Sequence, residues 1–176
     1  MPPVEAPVNA AGFVIHSAIH MARPDAQAVI HLHTPYGQAV SAMADGLLPH
    51  TQTAMIAGAG LAYHHYEGIA TETEERERLV ADLGDAHIMI LRNHGTLTVG
   101  ETVAQAFVRM HFLERACEAQ VHMLAAGRDG LNAPPQGTRE KVAGQAAPAT
   151  VALGADLLAW PALLRKLDRI DPSFRD

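Results

Sequence analysis

The sequence predicts an α/β domain, and three observations carry that expectation. Two short apolar runs, Ala28–His33 and His87–Leu91, have the length of buried strands. Longer stretches around them place apolar residues at three- and four-residue steps, the period of a helix with one buried face. Proline and glycine fall between these runs rather than inside them, at Arg23-Pro24-Asp25, Gly46–Pro49 and Gly95.

Taken in order, the first dozen residues are rich in Pro and Ala and read as an extended lead-in. Phe13–Ala22 is expected to be helical, with Phe13, Ile15, Ala18 and Ile19 as its apolar positions. Pro24 ends it, because a residue before proline is pushed out of the helical region. Ala28–His33 follows as a strand. Thr34-Pro35 then reads as a cap and a first-turn proline opening a helix through Met43. Thr53–Tyr66 holds short apolar pieces, read as strands around Gly58 and Gly60.

Thr71–Leu83 reads as an amphipathic helix. Thr71 and Glu74 have the spacing of a capping box, and the acidic first turn suits the helix dipole. The charge run Glu72–Arg78 reads as a solvated face. After the strand His87–Leu91 come a loop at Arg92–Gly95 and a short strand at Thr96–Val99. Glu101–Ala126 is the longest expected helix. Its stripe of Val103, Phe107, Met110, Leu113, Cys117, Val121 and Leu124 makes Cys117 a packed thiol. Residues 128–154, rich in Gly, Ala and Pro, read as a linker or arm. An amphipathic helix with Trp160, Leu163, Leu164 and Leu167 closes the chain over residues 155–176.

Composition narrows the function. The 176 residues fit one domain, and 48% of them are apolar, enough for a sizeable core. A net charge of -6 argues against a nucleic-acid surface, which needs a basic patch. A locally basic pocket for an anionic substrate remains compatible with it. The single cysteine cannot form an internal disulfide, and no apolar run has the roughly 18 residues of a membrane span. The first residues lack the basic flank of a secretory signal. A cytoplasmic protein without membrane or nucleic-acid partners is the expectation.

Histidine is the unusual figure, with 11 residues against 13 Lys plus Arg. His31-Leu32-His33 sets two imidazoles on one face of a strand, because side chains alternate with period two. That pair is half of a metal site, and His94, beyond the second buried strand, is the candidate third ligand. Three histidines with an open fourth position is a catalytic rather than a structural pattern. Spacing alone leaves the bland reading open, that of two ordinary strand histidines.

The stretch HSAIHMARPDAQAVIHLHTPYG, followed by LAYHHYEG, LRNHG and VGETVAQAF…ACEAQ, resembles the class II aldolase/adducin family from Gly12 to Gly127. The resemblance implies a three-layer α/β/α sandwich with a mixed, mainly antiparallel sheet, and a homo-oligomer, often a tetramer. It also implies that His31, His33 and His94 hold zinc or another divalent ion, with Fe(II) and Mn(II) as the other candidates. Such an ion acts as a Lewis acid on the hydroxyl and carbonyl oxygens of a sugar phosphate or keto acid.

Two departures stand out. Family aldolases and epimerases carry a carboxylate four residues before the histidine matching His16. Here that position is Gly12, so the usual acid/base is missing unless Glu5 or another group replaces it. The family domain also has a further N-terminal portion, so residues 1–127 are read as a partial domain.

Further candidates follow. His16 and His20 lie four apart on one helical face, and His16, matching a family histidine, is the one expected at the pocket. Tyr66 aligns near a tyrosine that donates a proton in some family aldolases, and a surface tyrosine is the alternative. Asn93 is expected to orient the His94 loop. His64 and His65 are adjacent and cannot both reach one site, and His50, His87, His111 and His122 read as structural or exposed. Three functions remain: a metal-dependent lyase on a small hydroxy-carbonyl substrate, a non-haem iron oxygenase or decarboxylase, and a non-catalytic adducin-like module. The intact histidine set favours the first. The basic tail associated with cytoskeletal binding in adducin is not in this sequence.

Overall fold

A computed structural model describes residues 9–68 and 75–175. Its elements run α1 (Ala10–Ala22), β1 (Ala28–Leu32), α2 (Pro35–Ser41), α3 (Gln52–Ala57), β2 (Leu61–His64) and α4 (Glu75–Leu83). Then come β3 (Ile88–Leu91), β4 (Gly95–Gly100), α5 (Val103–Met123), α6 (Thr138–Gln145), α7 (Pro148–Gly154) and α8 (Trp160–Ile170).

The four strands form one mixed sheet in the order β1-β4-β3-β2. β4 runs antiparallel to both β1 and β3, and β2 runs parallel to β3. The pleat sends alternate residues to opposite faces. Met89, Leu91, Leu97 and Val99 meet Val14, Ile15, Ala18 and Ile19 of α1 and Leu79 and Leu83 of α4. Ile88 and Ile90 meet Val40 of α2, Ala54 and Ala57 of α3, and Met110, Leu113, Ala116 and Cys117 of α5. The result is the expected three-layer α/β/α sandwich. Both faces of β3 are covered, which explains why Ile88–Leu91 is apolar throughout. Ile19, Leu79, Met89, Ile90, Leu97 and Leu113 are fully buried, each worth about 1.5–3 kcal/mol against exposure.

Two expectations are corrected. The segment around Gly58 is a helix, α3, because the Thr51 hydroxyl caps it by accepting from the Ala54 N–H, with Gly58 at its C-cap. The strand begins only at Leu61, after Gly60 turns the chain at φ +75°. Residues 128–154 are not a structureless arm either. They contain α6 and α7, and a π-helical turn at Ala155–Ala159 leads into α8. Ala155 and Val151 pack there against Ala104 and Val108 of α5, with Phe112 and Trp160 around them. Tertiary packing overrides the low helix propensity of that Gly- and Pro-rich stretch.

The expected stripe on α5 is also redistributed. Met110, Leu113 and Cys117 are buried, whereas Val103 and Phe107 stay largely exposed. The helix instead buries a second side through Ala104 and Val108. Thr102 caps it by accepting from the Gln105 N–H. The Thr71–Glu74 capping box lies outside the described residues. Among the described residues, no single helix is long and apolar enough to cross a membrane.

Candidate metal centre

β1 and the β3–β4 turn meet at one end of the sheet, and this junction gathers the histidines. His31 pairs with Leu97 across β1 and β4, on the α1 face two residues beyond Val29. His33 follows the last strand residue. His94 sits in the turn that leads into β4, which begins at Gly95.

That turn is fastened on three sides. The Arg92 N–H donates to the His64 carbonyl at 2.8 Å, and the Asn93 N–H donates to the Ser41 carbonyl at 3.0 Å. The Arg92 guanidinium donates to the Met43 and Ala44 carbonyls and lies 4.3 Å from the centre of the Tyr63 ring. Asn93 adopts a left-handed φ of 55°, which asparagine tolerates better than most residues. Its backbone N–H and this φ shape the turn just before His94.

The three imidazoles form a near-equilateral triangle, with ring centroids 4.7, 4.8 and 4.7 Å apart. One nitrogen from each lies within 4.8 Å of the others. His31 Nε2 and His33 Nε2 are 2.9 Å apart, a distance two nitrogens sustain only with a proton or a cation between them. The Thr96 carbonyl lies 3.0 Å from His31 Nδ1, so that nitrogen is the donor and Nε2 presents its lone pair to the centre of the triangle. Two nitrogens on one tetrahedral zinc ion, with bonds of about 2.0–2.1 Å, stand roughly 3.3 Å apart. An adjustment of about 0.4 Å brings the His31–His33 pair to that spacing, and three imidazole nitrogens gathered in this way are a donor set that fits a divalent ion.

The electrostatics suit the same use. Burial pushes His31 down to about 4, opposed by the Thr96 hydrogen bond and helped by His94, His33 and His16. Burial also lowers His94, with His33 and His64 adding to it. Both rings are neutral near pH 7, the form that offers a lone pair to a metal.

The other predicted residues fall as follows. Tyr66 is half exposed, with its ring centroid 6.2 Å from that of His94. His16 is half-buried on α1, close enough for its charge to act on His31, and its own pKa is lowered by burial and then by His20. His20 turns elsewhere, with Nδ1 2.7 Å from the Ala26 carbonyl. At Gly12 a Cβ would meet nothing closer than Asn9 at 3.9 Å, so the place of the family carboxylate is open space.

The sequence separates His64 from His65 but does not reveal the carboxylate partners of His64. His64, 2% exposed at the end of β2, sits between two carboxylates of α4. Its Nδ1 is 2.8 Å from Asp82 Oδ2, and its Nε2 is 3.5 Å from Glu75 Oε1. Glu75 and Asp82 are seven apart, hence on one helix face, and that spacing opposite a strand histidine was the available signal. His65, the neighbour, is exposed.

Comparisons with known proteins agree with this architecture. Residues 3–121 match the family described as the class II aldolase and adducin N-terminal domain. A Caulobacter vibrioides protein, provisionally named for aldolase class 2, is 52% identical over 169 residues, covering 96% of this chain and 65% of its own. Rat alpha-adducin is 50% identical over 127 residues, 70% of this chain and 17% of adducin. Among solved structures, an aldolase II superfamily protein from Pseudomonas syringae superposes with a TM-score of 0.88 at 50% identity, covering 99% of this chain and 68% of that one. The L-fuculose 1-phosphate aldolase of Glaciozyma antarctica gives 0.68 at 32% identity, covering 82% and 56%. The chain spans 65% of the length of the Caulobacter relative and of a second from Pseudomonas aeruginosa. With the family model matched over more than half its length and its sandwich reproduced in solved relatives, the chain belongs to the class II aldolase and adducin N-terminal domain family.

Proposed function

We propose that this chain carries the metal centre of a divalent-metal-dependent lyase acting on a small hydroxy-carbonyl compound, including sugar phosphates. The observation that supports this most is the convergence of His31, His33 and His94, with two neutral rings and a backbone-oriented Nδ1. In this reading the three rings would hold Zn(II), with Fe(II) and Mn(II) as alternatives. The ion supplies Lewis acidity to substrate oxygens when a carbon–carbon bond breaks or forms. The similarity to a protein named L-fuculose 1-phosphate aldolase supports the reaction class.

The chain's own residues do the rest. The Thr96 carbonyl fixes the His31 tautomer. Burial keeps His31 and His94 uncharged, so they do not repel a cation. Tyr66, beside His94 and open to solvent, is the group placed to hand a proton to a departing carbon or oxygen atom. Gly12 offers no proton-transfer group, so Tyr66 carries more of that task than in relatives with a carboxylate there.

A second reading, a non-catalytic module, is favoured by Gly12 and by the similarity to rat alpha-adducin. Retro-aldol cleavage of a panel of ketose 1-phosphates by zinc-loaded protein separates the two. Turnover that disappears in His94→Ala and drops at least tenfold in Tyr66→Phe supports the lyase. Stoichiometric metal binding with no turnover on any member supports the module. Oxygen consumption with Fe(II) marks the oxygenase instead.

A further inference from the structure

The metal-site reading leaves open what holds His33 in place. His31 has the Thr96 carbonyl and His94 has the fastened turn, but His33 is exposed and follows the last residue of an edge strand. The next residue, Thr34, is held unusually well. Its hydroxyl caps α2 by accepting from the Gly37 N–H at 3.3 Å. The same hydroxyl donates its one proton to Glu114 Oε2 at 2.5 Å, across 80 residues of sequence. The Thr34 carbonyl accepts from the Gln38 N–H at 2.9 Å.

Glu114 lies on α5 between Leu113 and Arg115, half-buried, on the helix that covers the opposite face of the sheet. Gly37 leaves the room for this contact. A Cβ at position 37 would stand 2.6 Å from Thr34 Oγ1, 3.0 Å from Thr96 Cγ2 and 3.4 Å from Glu114 Oε2. The close approach therefore needs glycine on α2, a hydroxyl beside His33 and a carboxylate on α5 together.

We infer that Glu114 is a positioning residue for the metal centre, clamping the Thr34 hydroxyl so that His33 meets His31 and His94. A hydrogen bond to an ionised acceptor is about twice as strong as a neutral one. The chain of Gly37 N–H, Thr34 hydroxyl and Glu114 carboxylate polarises in one direction, which strengthens each member. Without the carboxylate, the Thr34 hydroxyl keeps only its helix-cap bond, and the residue beside His33 loses its polar tie to α5.

The inference rests on the metal reading, and its test keeps the two apart. Cobalt(II) alone is titrated into the 176-residue chain and into Glu114→Ala, Glu114→Gln and Glu114→Asp, with its visible spectrum and chelator competition as readouts. Amide hydrogen exchange of residues 33–38 is followed in the metal-free proteins. Glu114→Ala is expected to weaken cobalt binding about 10–100-fold, as for other groups that orient a ligand. It is also expected to change the spectrum and to speed exchange at Gly37 and Gln38. Glu114→Gln, whose amide oxygen still accepts from Thr34, should stay within a few-fold of wild type. Glu114→Asp, one methylene short of the hydroxyl, should follow alanine and serves if the alanine variant does not fold. Folded Ala or Asp variants with wild-type affinity, spectrum and exchange overturn the inference alone. A wild-type chain that takes no cobalt overturns the metal reading and this inference with it.

Discussion

Replacing Gly95 by alanine puts a methyl group where β1 and β4 meet at the metal centre. The new Cβ would lie 2.5 Å from the Leu32 carbonyl oxygen and 3.0 Å from His33 Cδ2. Ordinary contact begins near 3.4 Å, so the Leu32 carbonyl must recede by about 0.9 Å and the His33 ring by about 0.4 Å. The first obstacle is backbone, which gives only if β1 shifts against β4. Overpacking of this kind costs about 1–3 kcal/mol. For a chain of this size that lowers Tm by roughly 2–12 °C. Moving His33 by a few tenths of an ångström also spoils the triangle, with a loss in metal affinity of about tenfold or more. The assays are thermal denaturation of metal-free protein and zinc competition against a chromophoric chelator. A Gly95→Ala protein within a degree of the wild-type Tm and within twofold of its zinc affinity would refute the reasoning.

Other substitutions test other parts of the account. Gly12→Glu enters open space on a helix, so it should gain about 0.5–1 kcal/mol from helix propensity, and a lower Tm would contradict it. Asp25 is held down to about 2, first by its hydrogen bond to Arg23. A depressed carboxyl adds stability above its unfolded value near 4 and loses it as pH falls through 2. Asp25→Asn should therefore flatten the pH dependence of stability between about 4 and 2. Because Asp25 is partly exposed, the effect stays under about 1 kcal/mol. Burial pushes the Cys117 thiol up to about 12, so a disulfide reagent at pH 8 should leave it untouched until denaturant is added.

Periodicity exposed the elements with long or two-sided apolar patterns. β3 is apolar on both faces because helices cover both, and its run of four is visible without any structure. α1 and α5 have enough turns for their periods to be read, although only tertiary packing decides that α5 buries Val108 and leaves Val103 in solvent. α3 was misread because six residues are too few to separate a helix from a strand by period, and its capping hydroxyl at Thr51 is the informative feature. α6 and α7 escape the periodicity because they are held by tertiary contact, α6 with α3 and α7 with α5, and not by propensity.

The centre divides in the same way. His31 and His33 are readable from strand alternation, and His94 is a candidate from its place beyond the second buried strand, but nothing local joins residues 61 positions apart, so only the family resemblance ties it to the pair. The Thr96 carbonyl on His31 and the Glu114 carboxylate on Thr34 are long-range contacts of backbone and side chain. A single sequence carries no local mark of either, because each depends on register between elements brought together only by folding.

The central claim is that three imidazoles share one cation, and metal stoichiometry tests it most directly. Protein expressed with added zinc, then dialysed and analysed by elemental mass spectrometry beside His31→Ala and His94→Ala, should hold close to one zinc per chain. The two variants should hold essentially none while keeping their far-UV circular dichroism. Wild-type protein that comes through dialysis without metal, or alanine variants that retain the same zinc, would contradict it.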